Sequence, residues 1–594
     1  MTLTTPWGAE LDADAPLPEY PRPQLVRDGW LNLNGRWRYA ITPFEASDPL
    51  DVADPTSVPG EWDGEIVVPF SPETPLSGVG RHVEPGETLW YRRTLEFEPG
   101  DGRVLLHFGA VDQSCRVSVN GVEVGGHTGG YLPFTLDVTE AMRGRAEHEL
   151  VVAVRDVSDT SWLSRGKQSS KRGGIWYTPQ SGIWQTVWIE RVPHAAVDRL
   201  VLTPHLDSGE IAVTVESSHA RENATVEVLD GGAVVATATI PMNAATRIRL
   251  PQPVRAWSPE DPHLYDVTVT LGEDRVGSYF GMRSFGVAKD EHGHPRLTLN
   301  GAPYLHVGLL DQGYWPDGGY TAPSDAALEY DVALAKRLGY TMLRKHIKVE
   351  PLRWYHHCDR LGMLVWQDAV NGGGAYSPAV VTAPVIASPR LPDRWYRVFS
   401  RADARGRAHF EEELVDMVEH LRSVPSLAMW VPFNEAWGQF DAARIAELVR
   451  TLDPTRTIDH ASGWHDQGAG DLRSLHIYFT KVRAPRRPDG RVLALTEYGG
   501  YSLPVEGHEW GSRVFGYRRY DTADKLEAAF RELHERQIEP AITRGLAAVV
   551  YTQLSDVEDE VNGLVTYDRR VVKLPEDAVR AVNDGLRAAA GEGN

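Results

Sequence analysis

Two stretches constrain this chain more than any others. Leu427-Ala-Met-Trp-Val-Pro-Phe-Asn434-Glu435 and Val492-Leu-Ala-Leu-Thr-Glu497 each run apolar and then stop on a glutamate. A short apolar run bounded by turn residues reads as a buried strand. In a parallel α/β barrel the C-terminal ends of the strands face the mouth where chemistry is done. A carboxylate ending such a strand is therefore a candidate catalytic group, and two of them from different strands are a pair.

The surrounding texture fits a barrel. From residue 288 apolar runs alternate with helical patterns. Strands are expected at 303–310, 340–346, 363–368, 427–435, 457–463, 474–479, 492–498 and 546–556. Helices are expected at 324–339, 350–362, 409–423, 441–453, 523–540 and 575–589. Ser324 precedes Asp325 as an N-cap, Pro351 opens a helix, and Gly339 and Gly362 follow helix ends. Eight strands interleaved with helices over about 300 residues make a TIM (β/α)8 barrel. The 369–408 connection is long for a strand-to-helix loop, which marks it as a rim or lid.

A chain of 594 residues is too long for one core. Residues 1–193 open Pro-rich and continue as short alternating β runs, with Asn120-Gly121 as a tight-hairpin signal. They read as a jelly-roll-like β-sandwich. Residues 194–287 hold about seven short strands, the count of an immunoglobulin-like sandwich. Residues 288–594 form the barrel. Net charge is −21, which argues against nucleic acid and anionic membrane as partners. Two cysteines, Cys115 and Cys358, in different domains exclude a disulfide framework. The N-terminal residues lack a basic and an apolar leader region, and no run reaches 18 apolar residues, so a cytoplasmic protein is expected. Homo-oligomerisation is left open.

Paired carboxylates at a barrel mouth suit glycoside hydrolysis, in which one acts as acid/base and the other as nucleophile. Glu497 is expected to attack the anomeric carbon, and Glu435 to protonate the leaving oxygen. Asn434 can donate to a sugar 2-hydroxyl. His346 and Asp368 end the second and third strands. His476 and Tyr478 alternate on the sixth strand and so point the same way. Tyr551, Gln553 and Asp556 are read on one face of the eighth. Trp437 and Trp464 read as sugar platforms or as core. The donor-rich loop Arg165-Gly-Lys167-Gln168 in the first domain reaches toward the same site or is a solvated connection.

Trp90-Tyr91-Arg92-Arg93, Gly129-Gly130-Tyr131, Gly182-Ile183-Trp184, Gly281-Met282-Arg283, Arg344-Lys345-His346, Val365-Trp366-Gln367-Asp368, Phe433-Asn434-Glu435 and Thr496-Glu497-Tyr498-Gly499 together resemble glycoside hydrolase family 2. This is the family of β-galactosidases, β-glucuronidases and β-mannosidases. The resemblance implies a retaining double displacement with Glu435 as acid/base and Glu497 as nucleophile, and an oligosaccharide or glycoside as substrate. It implies that Tyr478 orients Glu497. No cofactor is implied. Some members hold magnesium near the acid/base, but no ligand set for it is legible here. The uronate-clamping Asn-x-Lys motif is replaced by Glu560-Val561-Asn562-Gly563, which favours a neutral glycone. A β-galactosidase-like activity is the leading expectation. Mannoside, glucoside, glucuronide and arabinoside substrates are alternatives, as is a non-catalytic glycan-binding protein. Asp556 to Gly563 imitates a calcium loop, but Val561 takes the position that requires glycine.

Overall fold

A computed structural model describes residues 3–382, 384, 390–482 and 489–592. Part of the expected 369–408 rim lies outside the described residues. Short β-branched and aromatic runs separated by turn residues build the N-terminal domain as two antiparallel sheets. The larger has six strands, and the smaller pairs Trp30–Asn32, Val187–Val192, Arg103–Phe108 and Phe134–Asp137. Alternation along the strands sends Trp37, Leu89, Tyr91, Leu106, Phe108, Val117 and Val152 into one core between them. The second domain is also two sheets, of three and four strands, packed on Leu202, Val213, Val226, Val267 and Val269. Cys115 and Cys358 are buried and unpaired.

The third domain holds eight parallel strands: β1 His306–Asp311, β2 Met342–Lys345, β3 Leu364–Asp368, β4 Leu427–Val431, β5 Thr457–Ile458, β6 Leu472–Ile477, β7 Val492–Gly499 and β8 Leu546–Thr552. Their order in the sheet is β5-β4-β3-β2-β1-β8-β7-β6, a barrel open only between β5 and β6 among the described residues. Packed on its outside are α1 Asp325–Arg337, α2 Leu352–Leu361, α3 Ala404–Leu421, α4 Ala442–Leu452, α5 Ala523–Leu533 and α6 Glu576–Ala589. Ser324 caps α1 by accepting from the Ala327 amide, and Gly362 ends α2 in the left-handed conformation. Pro351 stands just before α2 rather than in its first turn.

Two strand expectations are shortened. Of 457–463 only Thr457 and Ile458 form a strand, and Ser462 makes an isolated parallel bridge to Asn434. The eighth strand ends at Thr552, so Tyr551, Gln553 and Asp556 do not share one strand face. Tyr551 packs outward against Phe530 and His534, while Asp556 pairs with Lys573 at 2.6 Å. Among the described residues no helix is long and apolar enough to cross a membrane.

The middle domain grips the barrel near the end of α2. Trp257 Nε1 donates to the Asp359 carbonyl and the Tyr279 hydroxyl to its carboxylate, each at 2.8 Å, and Arg283 Nε donates to the Pro425 carbonyl at 3.0 Å. The first two domains are joined through buried Arg27. It bonds both Asp274 carboxylate oxygens, at 2.9 and 2.8 Å, and reaches Glu190 at 3.3 Å. Breaking a buried pair leaves an uncompensated charge and costs about 3–5 kcal/mol. Arg27→Ala is therefore expected to lower the thermal unfolding midpoint clearly, whereas an exposed pair such as Lys525–Asp521 should be almost silent when cut.

Candidate active site

β4 carries its buried run to Val431, and the next turns deliver Asn434 and Glu435 to the mouth. Glu435 and its neighbour Ala436 hold φ values of 45° and 64°, the left-handed region that costs a residue with a side chain about 1–3 kcal/mol. The Glu435 amide is tied to the Ser462 carbonyl at 2.9 Å, which keeps this turn on the rim. β7 carries Thr496-Glu497 near its C-terminal end, with Glu497 opposite His476 of β6.

The two glutamates converge. One carboxylate oxygen of Glu435, one of Glu497 and a His476 ring nitrogen all lie within 4.8 Å of one another. His476 Nδ1 is 2.8 Å from Glu435 and 3.6 Å from Glu497. The Tyr478 hydroxyl donates to Glu497 Oε2 at 2.5 Å and reaches Thr552 of β8 at 3.3 Å. Its ring stacks on Tyr517 at 3.8 Å.

Arg344 on β2 ties these elements together. It is fully buried and donates to both oxygens of Asp368 at 2.9 and 3.0 Å, to Glu497 Oε1 at 3.2 Å and to Asn434 Oδ1 at 2.8 Å. The last contact fixes the Asn434 amide. Its Nδ2 is left buried without an acceptor among the described residues, an unspent donor beside Glu435. His346 Nδ1 meets Asp368 at 2.8 Å.

Electrostatics separates the two acids. Burial and then the facing charge of Glu497 push the Glu435 carboxyl above its ordinary value, against the pull of His476 and Lys167. Burial alone would raise Glu497 too, but the positive charges of His476 and Arg344, with the Tyr478 hydrogen bond, pull it below the usual range. Burial, and then the charge of Lys167, push the His346 imidazole well below its ordinary value. Two like acids pushed in opposite directions are the arrangement in which one carries a proton and the other does not.

Three family models match the chain in succession: glycosyl hydrolases family 2, sugar binding domain, over residues 31–193; glycosyl hydrolases family 2 over 195–283; and the family's TIM barrel domain over 299–489. This chain belongs to glycosyl hydrolases family 2. It is 23% identical over 581 residues to a β-galactosidase of Vibrio vulnificus, covering 89% of this chain and 52% of that protein. The chain thus spans about half the length of the curated relatives it matches. Its fold matches the β-D-glucuronidase of Dictyoglomus thermophilum with a TM-score of 0.71 at 16% identity, covering 96% of this chain and 98% of that one. It also matches a galacturonate-bound β-galacturonidase of Eisenbergiella tayi, at a TM-score of 0.67 and 21% identity over 95% and 98% of the two chains.

Other expected site residues fall differently in this family 2 chain. Asp368 is fully buried with both oxygens taken by Arg344 and His346, so it holds those two side chains instead of facing a sugar. Arg165 donates to the carbonyls of Gly373 and Gly374 and lies over the Tyr376 ring, fastening its loop to the rim after β3. Gln553 bridges Gln312 and Asn562, each at 2.8 Å. Trp437 stands at the mouth between Trp176 and His346, while Trp464 is packed on His476 with its indole N–H on Val381. Two contributors have no periodic signal because they sit on loops. Tyr517 stacks on Tyr478, and Glu560 accepts from the Tyr177 hydroxyl of the first domain.

The Glu435, His476 and Glu497 trio is also the group among the described residues that approaches metal-ligand spacing. It does not fit magnesium, which takes an octahedron of oxygens, because the central atom is an imidazole nitrogen 2.8 Å from Glu435.

Arg344→Met is expected to leave the buried Asp368 carboxylate without its charged partner, with only the His346 ring on it, and to cost about 3–5 kcal/mol near neutrality. An unpaired buried carboxylate binds its proton more tightly folded than unfolded, so the penalty should grow as pH rises and fade in acid. Thermal unfolding of both proteins across pH reads this directly.

Proposed function

We propose that this protein is an exo-acting, retaining β-glycosidase that removes a terminal neutral sugar. The observation that carries the reading is the approach of Glu435 and Glu497 within 4.8 Å. Retaining enzymes hold their carboxyl groups roughly 5–5.5 Å apart, whereas inverting enzymes leave roughly 6.5–9.5 Å for a water. The approach of one oxygen of each acid within 4.8 Å supports the retaining reading over the inverting one.

In the first step Glu497, kept ionised by Arg344, His476 and Tyr478, attacks the anomeric carbon as the protonated Glu435 gives its proton to the departing oxygen. A glycosyl ester on Glu497 results. In the second step Glu435, now a carboxylate, takes a proton from water, which attacks the same carbon and releases Glu497. Asn434 Nδ2 offers its free donor to the sugar 2-hydroxyl, a contact that strengthens in the transition state. Contacts of the first domain with the connection after β8 support exo action. There the Tyr177 hydroxyl meets Glu560 and the Thr178 amide meets Glu558 at 2.8 Å.

Glu558, Asp559 and Glu560 bring three carboxylates, against the single Arg172, to the connection that meets the first domain. A uronate near that side would meet net like charge, which supports a neutral glycone. β-Galactosides are the first choice, in keeping with the name of the Vibrio vulnificus relative.

Glu497→Ala should abolish hydrolysis of p-nitrophenyl β-glycosides and regain turnover with azide, yielding the α-glycosyl azide. An unimpaired variant would end the proposal. Glu435→Ala should lose about 10²–10⁴-fold on substrates with poor leaving groups. Glu497 works as an anion with a lowered pKa, so activity falls as pH drops through it. Glu435 works protonated with a raised pKa, so activity falls as pH climbs through it. Tyr478→Phe removes one support of the Glu497 anion and should move the acid limb of the kcat/KM profile to higher pH.

A further inference from the structure

The loop 163–178 brings one more charge to the mouth. Lys167 is 4% exposed, and among the described residues its ammonium makes no hydrogen bond or ion pair. Its Nζ lies 5.6 Å from the Trp437 ring centroid and 5.5 Å from that of Tyr177. Ring faces attract a cation but do not accept along its three N–H directions. The two neighbouring buried lysines are satisfied. Lys345 bonds Asp311 and Glu350 at 2.7 and 2.8 Å, and Lys348 bonds Glu350 at 2.8 Å.

The loop is built to hold Lys167 there. The Arg165 and Gly166 amides both donate to the Asn371 carbonyl, at 2.9 and 3.2 Å. Gly166 has φ +61°, and a Cβ on it would sit 3.0 Å from the carbonyl of Ile347, the residue after His346. Only glycine lets the chain press this close to the end of β2. Trp437, under the ammonium, is 6.0 Å from His346, and His346 leads through Asp368 and Arg344 to Glu497. The Lys167 charge acts on both His346 and Glu435.

A cation with no protein acceptor, where a ligand seats, takes its acceptor from the ligand when the ligand displaces water. We propose that Lys167 is a specificity-determining residue of the first domain that donates to an oxygen of the glycone held against Trp437 and His346. This rests on the reading of the mouth as a sugar-hydrolysing site.

The test compares wild type, Lys167→Met and Lys167→Arg on the best p-nitrophenyl β-glycoside and its monodeoxy analogues. Lys167→Met should lower kcat/KM about 10- to 100-fold on the parent, the worth of a hydrogen bond from a charged donor. That penalty should vanish on the one analogue lacking the contacted hydroxyl, and Lys167→Arg should recover part of it. A penalty equal on every analogue, absent throughout, or following the leaving group instead of the glycone overturns the proposal. Calorimetric binding of galactose, arabinose and glucuronic acid to Glu497→Gln, with and without Lys167→Met, gives a second arm that needs no turnover. If wild type hydrolyses nothing, the glycosidase reading falls and this arm still decides on Lys167: weaker binding in the double variant supports it, and no difference overturns it. If a uronide proves the best substrate and loses most, Lys167 stands and the neutral-glycone reading falls.

Discussion

A single buried guanidinium makes the rest of this site tenable. Two carboxylates within 4.8 Å of each other, in a largely buried barrel mouth, do not both ionise without support. Arg344 gives that support to one side only. It contacts Glu497 and not Glu435, and Asp368 holds it in a planar two-point grip. Part of the asymmetry between the acids therefore comes from β2, a strand that carries neither of them. The same guanidinium holds the Asn434 amide oxygen, and its buried Nδ2 is left without an acceptor among the described residues. Arg344, together with His476 and the Tyr478 hydroxyl, favours the anion at Glu497, whereas burial and the facing charge of Glu497 favour the proton on Glu435.

Much of this was legible in the residues. Apolar runs that stop on Glu435 and Glu497 identify strand ends because a buried strand tolerates a carboxylate only where it emerges. The alternation of period-two and helical patterns from residue 288 carries the barrel for the same reason. What sequence could not show is which partner saturates a polar group. Asp368 reads as a sugar acceptor until Arg344 and His346 are seen on its oxygens. Arg165 and Lys167 look equivalent in one loop until the first is found bonded to backbone carbonyls and the second to none. Tyr517 and Glu560 lie on connections where side-chain direction follows no period, so nothing in the spacing points to them. The eighth strand was read too long because an apolar run gives no sign of where pairing ceases.

The three domains divide the work physically. The middle sandwich braces the barrel by bonds to the end of α2, far from the strand ends that carry chemistry. The first sandwich does the opposite, inserting a loop over the mouth and meeting the β8 connection through Tyr177 and Thr178. A pocket shared by two domains excludes water better than an open barrel rim, which strengthens every charge interaction inside it.

The backbone at Glu435 and Ala436 runs through left-handed geometry at two successive positions that are not glycine. Thermostability alone would put glycine in both places, and selection for robustness would erode the acid. Its presence records a compromise in which the molecule tolerates a less comfortable main chain so that a proton donor can stand at the turn. Efforts to harden this scaffold should therefore leave that corner untouched and look for gains elsewhere.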